Sequence, residues 1–503
     1  MAAAAILPGL QARSVFKPAL VLMSGRTLAF AATFFIPVIL ARVFDQVQFG
    51  TYKQLFLVFS TVFCIAQLGM SQSLYYFLPR VPRLAGQYVA NSICFLALVG
   101  LLGFGALTAA APKLASWLNN DQLAPYFWWI GLYLLLMMIS TGLEIVMVSR
   151  GKYGWASASY ASSDLVRAAA FIVPVLLFGQ LRWLMMGAVA IAALRAAATL
   201  FYFFREFGAA FRPDRALLGT QLAYALPFGL AVMVEILQAS LPQYFVAHSF
   251  DPATFAIFAV GCLQIPLVDF AASPTSDVMM VKMQESLSAG DRQAVLDIWH
   301  DITWKLALLF FPLAALMMVN ARAMIVLLFT DRYLASAPIF LVWSSMILLT
   351  TFQVDGVMRV FAQTRFLLWI NLVRLAITAA LLQWSISTLH LLGAALVCVL
   401  ATAAFKVAAL ARMRNLLDVP ASRLLPWGKL GALTAATAAG AGAAVALRSV
   451  LATPAVPLLL ATSTALVSTY AALVWRFDLL AAGEKAAIQR WVRKGLGREL
   501  CAE

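Results

Sequence analysis

Twelve charged residues lie within long apolar stretches of this 503-residue chain. A charge at the centre of a bilayer costs at least about 2.5–3.5 kcal/mol, so residues of this kind are usually retained for a function. Cationic groups in such a place could bind an anion such as a phosphate, and buried carboxylates could exchange protons. The basic set is Arg26, Lys53, Arg167, Arg195, Arg374 and Lys406, and the acidic set is Glu144, Asp164, Glu235, Asp269, Asp277 and Asp355.

Some of these charges have a local partner along the sequence. Asp164 and Arg167 are three residues apart and should pair across one helical turn. Asp355 lies four residues before Arg359. Apart from Lys53, which lies near a helix end, four basic residues have no acidic residue within a helical turn and are therefore the better candidates for binding an anion: Arg26, Arg195, Arg374 and Lys406.

Other charges lie near the ends of apolar stretches. We expect Glu144 and Asp277 to lie near inner helix ends, where they would face lipid headgroups. Lys53 is close to an outer helix end, and its long side chain could snorkel to the membrane surface. A structural role is therefore the alternative for each of these three residues.

The composition indicates a polytopic membrane protein. The chain is 63% hydrophobic and 11% charged, and its mean hydropathy is +0.90, whereas ordinary globular chains are about half apolar and a quarter charged. The five cysteines have neither metal-ligand nor disulfide spacing. HExxH, CxxC and Walker motifs do not occur in the sequence. We therefore expect no enzyme activity and no cofactor or metal.

A bilayer core is crossed by about 20 apolar residues of helix. By this criterion the sequence has about fourteen spans, with mostly short connections and no soluble domain. The predicted spans cover residues 18–43, 49–76, 87–111, 123–149, 156–179, 182–206, 218–247, 253–278, 298–320, 334–360, 365–388, 390–412, 427–448 and 455–476.

Lysine and arginine are unequally distributed between alternate connections. With the N-terminus inside, about 24 lie in inner segments and about 6 in outer segments, which is the bias of the positive-inside rule. We expect both termini in the cytoplasm, with 1–17 as a retained N-terminal tail and 477–503 as a basic tail at the membrane surface. The same bias accounts for the net charge of +15 without a nucleic-acid partner.

One phrase occurs twice in the chain. "ARVFDQVQFGTY" begins at Ala41 and "AHSFDPATFAIF" at Ala247, and both read Ala-x-x-Phe-Asp-x-x-x-Phe-small-x-aromatic. Asp45 is followed three residues on by Gln48, as in a capping box, and Asp251 is followed by a proline, which suits the first helical position. We therefore expect Asp45 and Asp251 to cap the helices that follow them.

The two copies follow the first and seventh predicted spans, which indicates a parallel repeat. A second echo, small-x-x-basic-aromatic, occurs as "SRGKY" at 149–153 and "AQTRF" at 362–366. The predicted fold is all-α, with two six-helix bundles, 18–206 and 218–412, related by a parallel pseudo-two-fold axis. Two extra helices follow at 427–476.

This arrangement resembles the multidrug/oligosaccharidyl-lipid/polysaccharide (MOP) exporter superfamily. Within it, "FGTYKQLFLVFSTVFCIAQLGMSQSLYYFLPR" (49–80) is similar to the second-helix region of polysaccharide-type (Wzx-like) flippases. "MIVLLFTDRYLASAPIFLVWSS" (324–345) resembles the stretch before their tenth helix. The resemblance implies two bundles around a central cavity. It also implies translocation of an undecaprenyl-diphosphate-linked oligosaccharide across the bacterial inner membrane.

The resemblance also implies which charges would meet this substrate. The first, second, seventh and eighth helices line the cavity in the family, which favours Arg26 and Lys53 in the first bundle. Arg374 and Lys406 would supply positive charge from the second bundle, and Arg195 is a further candidate. These five residues are the predicted substrate-binding set.

Acidic residues could couple transport to protons or sodium. Cation-coupled relatives often place a glutamate on the seventh helix and an aspartate on the tenth, the helices that Glu235 and Asp355 occupy here. Asp269 on the eighth helix is a third candidate. Hinges are expected at the prolines of the seventh and eighth helices, Pro227, Pro242, Pro266 and Pro274.

Two other transporter functions stay open. A drug or cation antiporter should have an acidic and aromatic cavity, which the unpaired basic residues disfavour. A lipid II flippase usually has several arginines around a Gly-Phe-x-Arg-Asp stretch, whereas "GRTLAFAATFF" has only Arg26. The expected partners are the lipid-linked oligosaccharide and membrane lipids, and the expected state is a monomer.

Overall fold

The computed structural model describes residues 33–450, 455–480 and 485. In these residues the chain forms α-helices and short 3-10 turns and no β-strand, which confirms the all-α prediction. The helices are α1 (Thr33–Val43), α2 (Gln46–Ala66), α3 (Met70–Arg80), α4 (Ala85–Ala109), α5 (Ala111–Trp117), α6 (Phe127–Ser140), α7 (Leu143–Ser149), α8 (Tyr153–Phe178), α9 (Leu181–Phe207), α10 (Arg215–Ser249), α11 (Pro252–Gly261), α12 (Pro266–Ser288), α13 (Arg292–Val319), α14 (Ala321–Phe329), α15 (Ala337–Ser344), α16 (Met346–Thr350), α17 (Val354–Val360), α18 (Thr364–Leu417), α19 (Ala421–Leu424), α20 (Trp427–Val450) and α21 (Ala455–Arg476).

The helices are long and apolar enough for a multi-pass membrane protein. Among the described residues, eleven helical segments could cross a membrane, and α11 with α12 makes a twelfth if this pair, bent by 51°, is one span. Helix α18 contains two helices, because Arg412 near its end donates a hydrogen bond to Gln363 just before its start, at 2.9 Å. The chain reverses at His390, where φ is 52° and ψ is −136°. The number of fourteen spans stays a prediction.

The first compact unit comprises residues 1–259. In it α4 packs on α6, α6 packs on α9, and α8 packs on α9. One part of its core is built from buried side chains that include Leu74, Tyr88, Val146 and Phe203. Helix α10 packs on α2 and α3 of this unit, although the sequence repeat assigns it to the second bundle. The predicted domain boundaries therefore stay predictions.

Both copies of the repeated phrase begin a helix as expected. The Asp45 carboxylate accepts a hydrogen bond from the backbone N–H of Gln48 at 2.7 Å, at the start of α2. The Asp251 carboxylate accepts from the backbone N–H groups of Ala253 at 3.1 Å and Thr254 at 3.3 Å, at the start of α11. Each aspartate satisfies donors that a helix start leaves unpaired, and both capping predictions are confirmed.

The second compact unit comprises residues 260–503. Helix α13 packs on α12 and α20, and α20 packs on α21. The buried Trp299 donates from Nε1 to the carbonyl oxygen of Leu424 at 3.0 Å. On α21, Thr462 donates to the Asn320 side chain at 2.7 Å. These bonds fix α19 and α21 onto α13 and the residue that ends it.

Candidate functional site

In two of the predicted spans that are broken helices, an acidic residue follows the break at once. The fourth predicted span consists of α6 and α7, and Glu144 lies in the first turn of α7. The tenth predicted span ends in α17, and Asp355 lies in its first turn. The first turn of a helix has unpaired backbone N–H groups that favour a negative charge. The breaks therefore allow a carboxylate inside an apolar span.

Glu144 forms a buried ion pair with Arg195 of α9. Nη2 of Arg195 lies 2.8 and 2.9 Å from the two carboxylate oxygens. Ser159 of α8 donates to the same carboxylate at 2.8 Å, and Nε of Arg195 donates to Ser140 at 3.3 Å. The side chain of Glu144 is only 4% exposed, so this pair fixes α7, α8 and α9 together. We call the ion pair of Glu144 and Arg195, together with its partners Ser140 and Ser159, the Glu144 pair.

The second unit contains a matching but more open arrangement. Nζ of Lys406 lies 2.8 Å from a carboxylate oxygen of Asp355, and the Asp355 side chain is 40% exposed. Arg374 donates from Nη2 to the Thr402 hydroxyl at 2.8 Å. The cationic groups of Arg374 and Lys406 lie 5.5 and 5.7 Å from the ring centre of Phe405. We call these five residues the Asp355 cluster, which holds two cations and one carboxylate.

The two arrangements occupy corresponding places in the repeat. Each basic partner, Arg195 or Lys406, follows its acid by 51 residues. The equal spacing is visible in the sequence and could have identified both pairs. Helix periodicity by itself indicates only pairs within one turn, so it does not reveal these two pairs.

The expectation for Glu144 was wrong. Glu144 does not face headgroups, because it is 3% exposed and is bound by Arg195 and Ser159. The carboxylate of Asp355 binds Lys406 of α18, and its neighbour Arg359 is exposed. In both cases a partner from another helix determines where the acid lies.

The predicted pair on the fifth span is confirmed. Nη2 of Arg167 lies 2.6 Å from a carboxylate oxygen of Asp164, and it also donates to Thr33 of α1 at 3.0 Å. This pair lies in the wall between α1 and α8. Arg167 is therefore engaged in structural contacts.

The remaining candidate residues lie apart from these pairs. Lys53 is half-buried on α2, with its amine 5.7 Å from the ring centre of Phe49. Glu235 on α10 is exposed. Asp269 in the first turn of α12 is exposed and lines a cavity of about 170 Å³ next to the bend between α11 and α12. Arg26 lies outside the described residues.

The structure thus brings only some of the candidates together. Arg374, Lys406 and Asp355 meet in one cluster. Arg195 meets Glu144. In the part of the chain that is described, no three histidine, cysteine, aspartate or glutamate side chains are grouped to hold a metal ion.

Sequence comparison identifies one family. The model of the family described as "Polysaccharide biosynthesis protein" matches residues 39–338, which is more than half of the chain. No curated protein matches the sequence.

Several solved structures are similar in fold at low sequence identity. The lipid II flippase MurJ in its inward closed conformation has 11% identity and a TM-score of 0.67, with 92% of this chain and 100% of that chain covered. An inward-facing multidrug resistance MATE family transporter of the MOP superfamily has 10% identity and a TM-score of 0.63, with 80% and 98% covered. A MOP superfamily transporter from Pyrococcus furiosus has 13% identity and a TM-score of 0.53, with 80% and 94% covered. The chain therefore has the fold of the MOP superfamily transporters, as the resemblance implied.

Proposed function

We propose a transport function for this chain, which belongs to the polysaccharide biosynthesis protein family. It translocates an undecaprenyl-diphosphate-linked oligosaccharide repeat unit across the bacterial inner membrane, for exopolysaccharide, capsule or O-antigen synthesis. Family membership supports the class of product, and the MOP transporter fold supports movement across the membrane rather than a chemical reaction. Residues of the second unit support the chemistry of the substrate.

The Asp355 cluster is the observation on which this proposal mainly rests. Its two cations face a single carboxylate, so one positive charge is left over within helices of the second unit. An uncompensated charge there is costly, and an anionic ligand such as a diphosphate would offset it. The planar guanidinium of Arg374 matches phosphate oxygens, and the ammonium of Lys406 adds a point charge.

The Glu144 pair has a different part in the proposal. Its cation and anion are fully matched and nearly buried, so no net charge is left for a substrate. We assign it to holding the first unit together, although Arg195 belongs to the predicted binding set. Arg26 and Lys53 stay predicted binding residues of the first bundle.

Coupling to an ion is a separate part of the proposal. Glu235 and Asp269 are exposed carboxylates for which no ion pair is present in the described part of the chain. Asp269 borders a cavity beside a bend of 51°, where binding a proton or sodium could change the helix angle. Asp355 could link ion binding to the Asp355 cluster, because neutralising the Asp355 carboxylate would release Lys406.

The lipid II flippase is the second candidate function. The MurJ structure covers 92% of this chain with a TM-score of 0.67, which is why this alternative is retained. Both substrates would have the same diphosphate, so the Asp355 cluster fits either. The sugar head, and therefore the affected pathway, distinguishes them.

The test is complementation of cells that lack the protein. We expect these cells to accumulate undecaprenyl-diphosphate oligosaccharide in the inner leaflet and wild-type protein to clear it. Arg374→Ala at matched expression should clear it at least about tenfold more slowly, since a charged hydrogen bond contributes about 1.5–3 kcal/mol. Lys305→Ala is the matched control, because Lys305 is half exposed and pairs with its helix neighbour Asp301.

Other outcomes would decide between the alternatives. Accumulation of the peptidoglycan precursor instead of the oligosaccharide would establish the lipid II function. Normal lipid-linked sugars with increased drug sensitivity would indicate an antiporter. Equal rates for Arg374→Ala and Lys305→Ala would remove the cluster from the mechanism while leaving the substrate class in place.

A further inference from the structure

A groove runs along α7, α8 and α9 of the first unit. Its volume is about 370 Å³. Two of its apolar side chains, Trp155 and Leu194, are 72% and 64% exposed. Both α8 and α9 are long and apolar enough to cross a membrane, so the groove lies at membrane depth. Its wall is mainly apolar and includes Met147, Trp155, Val166, Ile191, Leu194 and Tyr202.

Three polar groups in the groove wall already have partners. Ser159 donates to Glu144 at 2.8 Å, and Ser162 donates to the carbonyl oxygen of Ser159 at 3.3 Å. The guanidinium of Arg195 is bound by Glu144. These groups therefore do not require a polar ligand, and the wall is suited to a hydrocarbon chain.

One end of the groove is basic. Lys152 donates to the hydroxyl of Tyr202 at 3.3 Å, and its Nζ lies 2.5 Å from Glu206. Nε of Arg150 lies 3.8 Å from the same glutamate. The side chains of Arg150 and Lys152 are 33% and 38% exposed. Two accessible cations thus share one carboxylate, and this end of the groove has a net positive charge.

We propose that this groove binds an anionic phospholipid of the surrounding membrane. An acyl chain lies along Leu194 and Val166, and the phosphate binds Lys152 and Arg150. Tryptophan and tyrosine favour the boundary between headgroups and hydrocarbon, as Trp155 and Tyr202 do at this end. A basic pocket between membrane helices is the arrangement that recognises anionic headgroups.

The bound lipid is distinct from the transported substrate. A sugar head placed in the groove would leave hydroxyl groups unpaired against an apolar wall, which costs free energy. A phospholipid instead matches one apolar wall and one basic end. The inference therefore stands independently of the proposed transport function.

The test uses the whole protein in nanodiscs of phosphatidylcholine with a small fraction of a photoactivatable lipid. The probe is phosphatidylglycerol or phosphatidylcholine with a diazirine on its acyl chain, and crosslinked peptides are identified by mass spectrometry. We expect phosphatidylglycerol to label 155–166 and 191–202 more than phosphatidylcholine does. Lys152→Gln should reduce this labelling about fivefold, which is the effect of one basic residue on an anionic lipid.

Two further variants complete the experiment. Lys152→Arg should restore labelling, because it keeps the charge. Lys305→Gln should leave labelling unchanged, because Lys305 lies on α13, outside the groove, and pairs there with Asp301 of the same helix. Equal labelling by the two lipids would overturn the proposal. Equal phosphatidylglycerol labelling of Lys152→Gln, Lys152→Arg and wild type would also overturn it. Absence of lipid labelling in 155–166 and 191–202 would also overturn it.

Discussion

Gly50 packs directly on Pro252, so that a Cβ atom at Gly50 would lie 1.9 Å from the carbonyl oxygen of Pro252. Both residues belong to the repeated phrase, one to each copy. The phrase therefore has two roles. Its aspartates cap α2 and α11, and Gly50 allows the two copies to touch. The contact explains why the first copy has glycine where the second has alanine.

Gly50→Ala should destabilise the first unit. The new methyl group would meet backbone atoms of Pro252 rather than a flexible side chain, and overpacking of this kind costs about 1–3 kcal/mol. The measurement is the free energy of unfolding in detergent. Gly105→Ala is the control, because a Cβ there meets nothing within 4 Å, and it should be neutral or stabilising by up to about 1 kcal/mol. Equal behaviour of the two variants would contradict the contact.

Arg195→Ala should destabilise the protein more than the removal of an exposed charge does. It leaves the buried carboxylate of Glu144 without its cation, and loss of one partner of a buried pair costs about 3–5 kcal/mol. Lys305→Ala removes a charge from an exposed pair and should change the unfolding free energy by less than about 1 kcal/mol. Replacing Arg195 by Met together with Glu144→Gln should recover part of the loss, because no unpaired charge stays buried. A double variant as unstable as Arg195→Ala would show that packing, not charge, accounts for the loss.

The features that were predictable from the sequence are local. The two aspartate caps and the Asp164–Arg167 pair depend on neighbours within a few residues, and the structure has all three. Apolar stretches are also local, and eleven or twelve of them are helices long enough to cross a membrane in the described residues. The partners of Glu144 and Asp355 lie 51 residues away on other helices, and hydropathy carries no information about which faces of two helices meet. The breaks before these acids also leave no strong signal, since neither contains proline between its helices.

The ion pair at the basic end of the groove should titrate only at high pH. The hydrogen bond that Lys152 donates to the Glu206 carboxylate raises the pKa of Lys152 above its ordinary value of 10.5. A raised lysine pKa stabilises the folded state below the unfolded pKa, and this contribution is lost as the pH rises through the folded pKa. The difference in melting temperature between wild type and Lys152→Gln should therefore be constant from neutral pH to about 10 and shrink above it. A difference that disappears near pH 7 would instead mean that the lysine is neutral in the folded protein.

Asp355→Asn should strengthen binding of the lipid-linked substrate, if the Asp355 cluster holds its diphosphate. The carboxylate is 40% exposed and lies 2.8 Å from Lys406, so it competes with the phosphate for the same ammonium group. Removing this competition should lower the substrate concentration at half-maximal translocation by about fivefold, the effect of one partly exposed ion pair. The measurement is translocation in proteoliposomes against the concentration of purified undecaprenyl-diphosphate oligosaccharide.

Three variants control for effects on stability and on the first unit. Lys406→Ala should raise the half-maximal concentration, and Lys406→Arg should restore it, because both depend on the same cationic group. Glu144→Gln should not lower it, since Arg195 is not part of the Asp355 cluster and also donates to Ser140 within the first unit. If Asp355→Asn and Lys406→Ala weaken binding to the same extent, the pair acts as a structural bridge between α17 and α18. The anion site would then have to be sought at Arg374 alone, whose guanidinium stays bound to Thr402 in either variant.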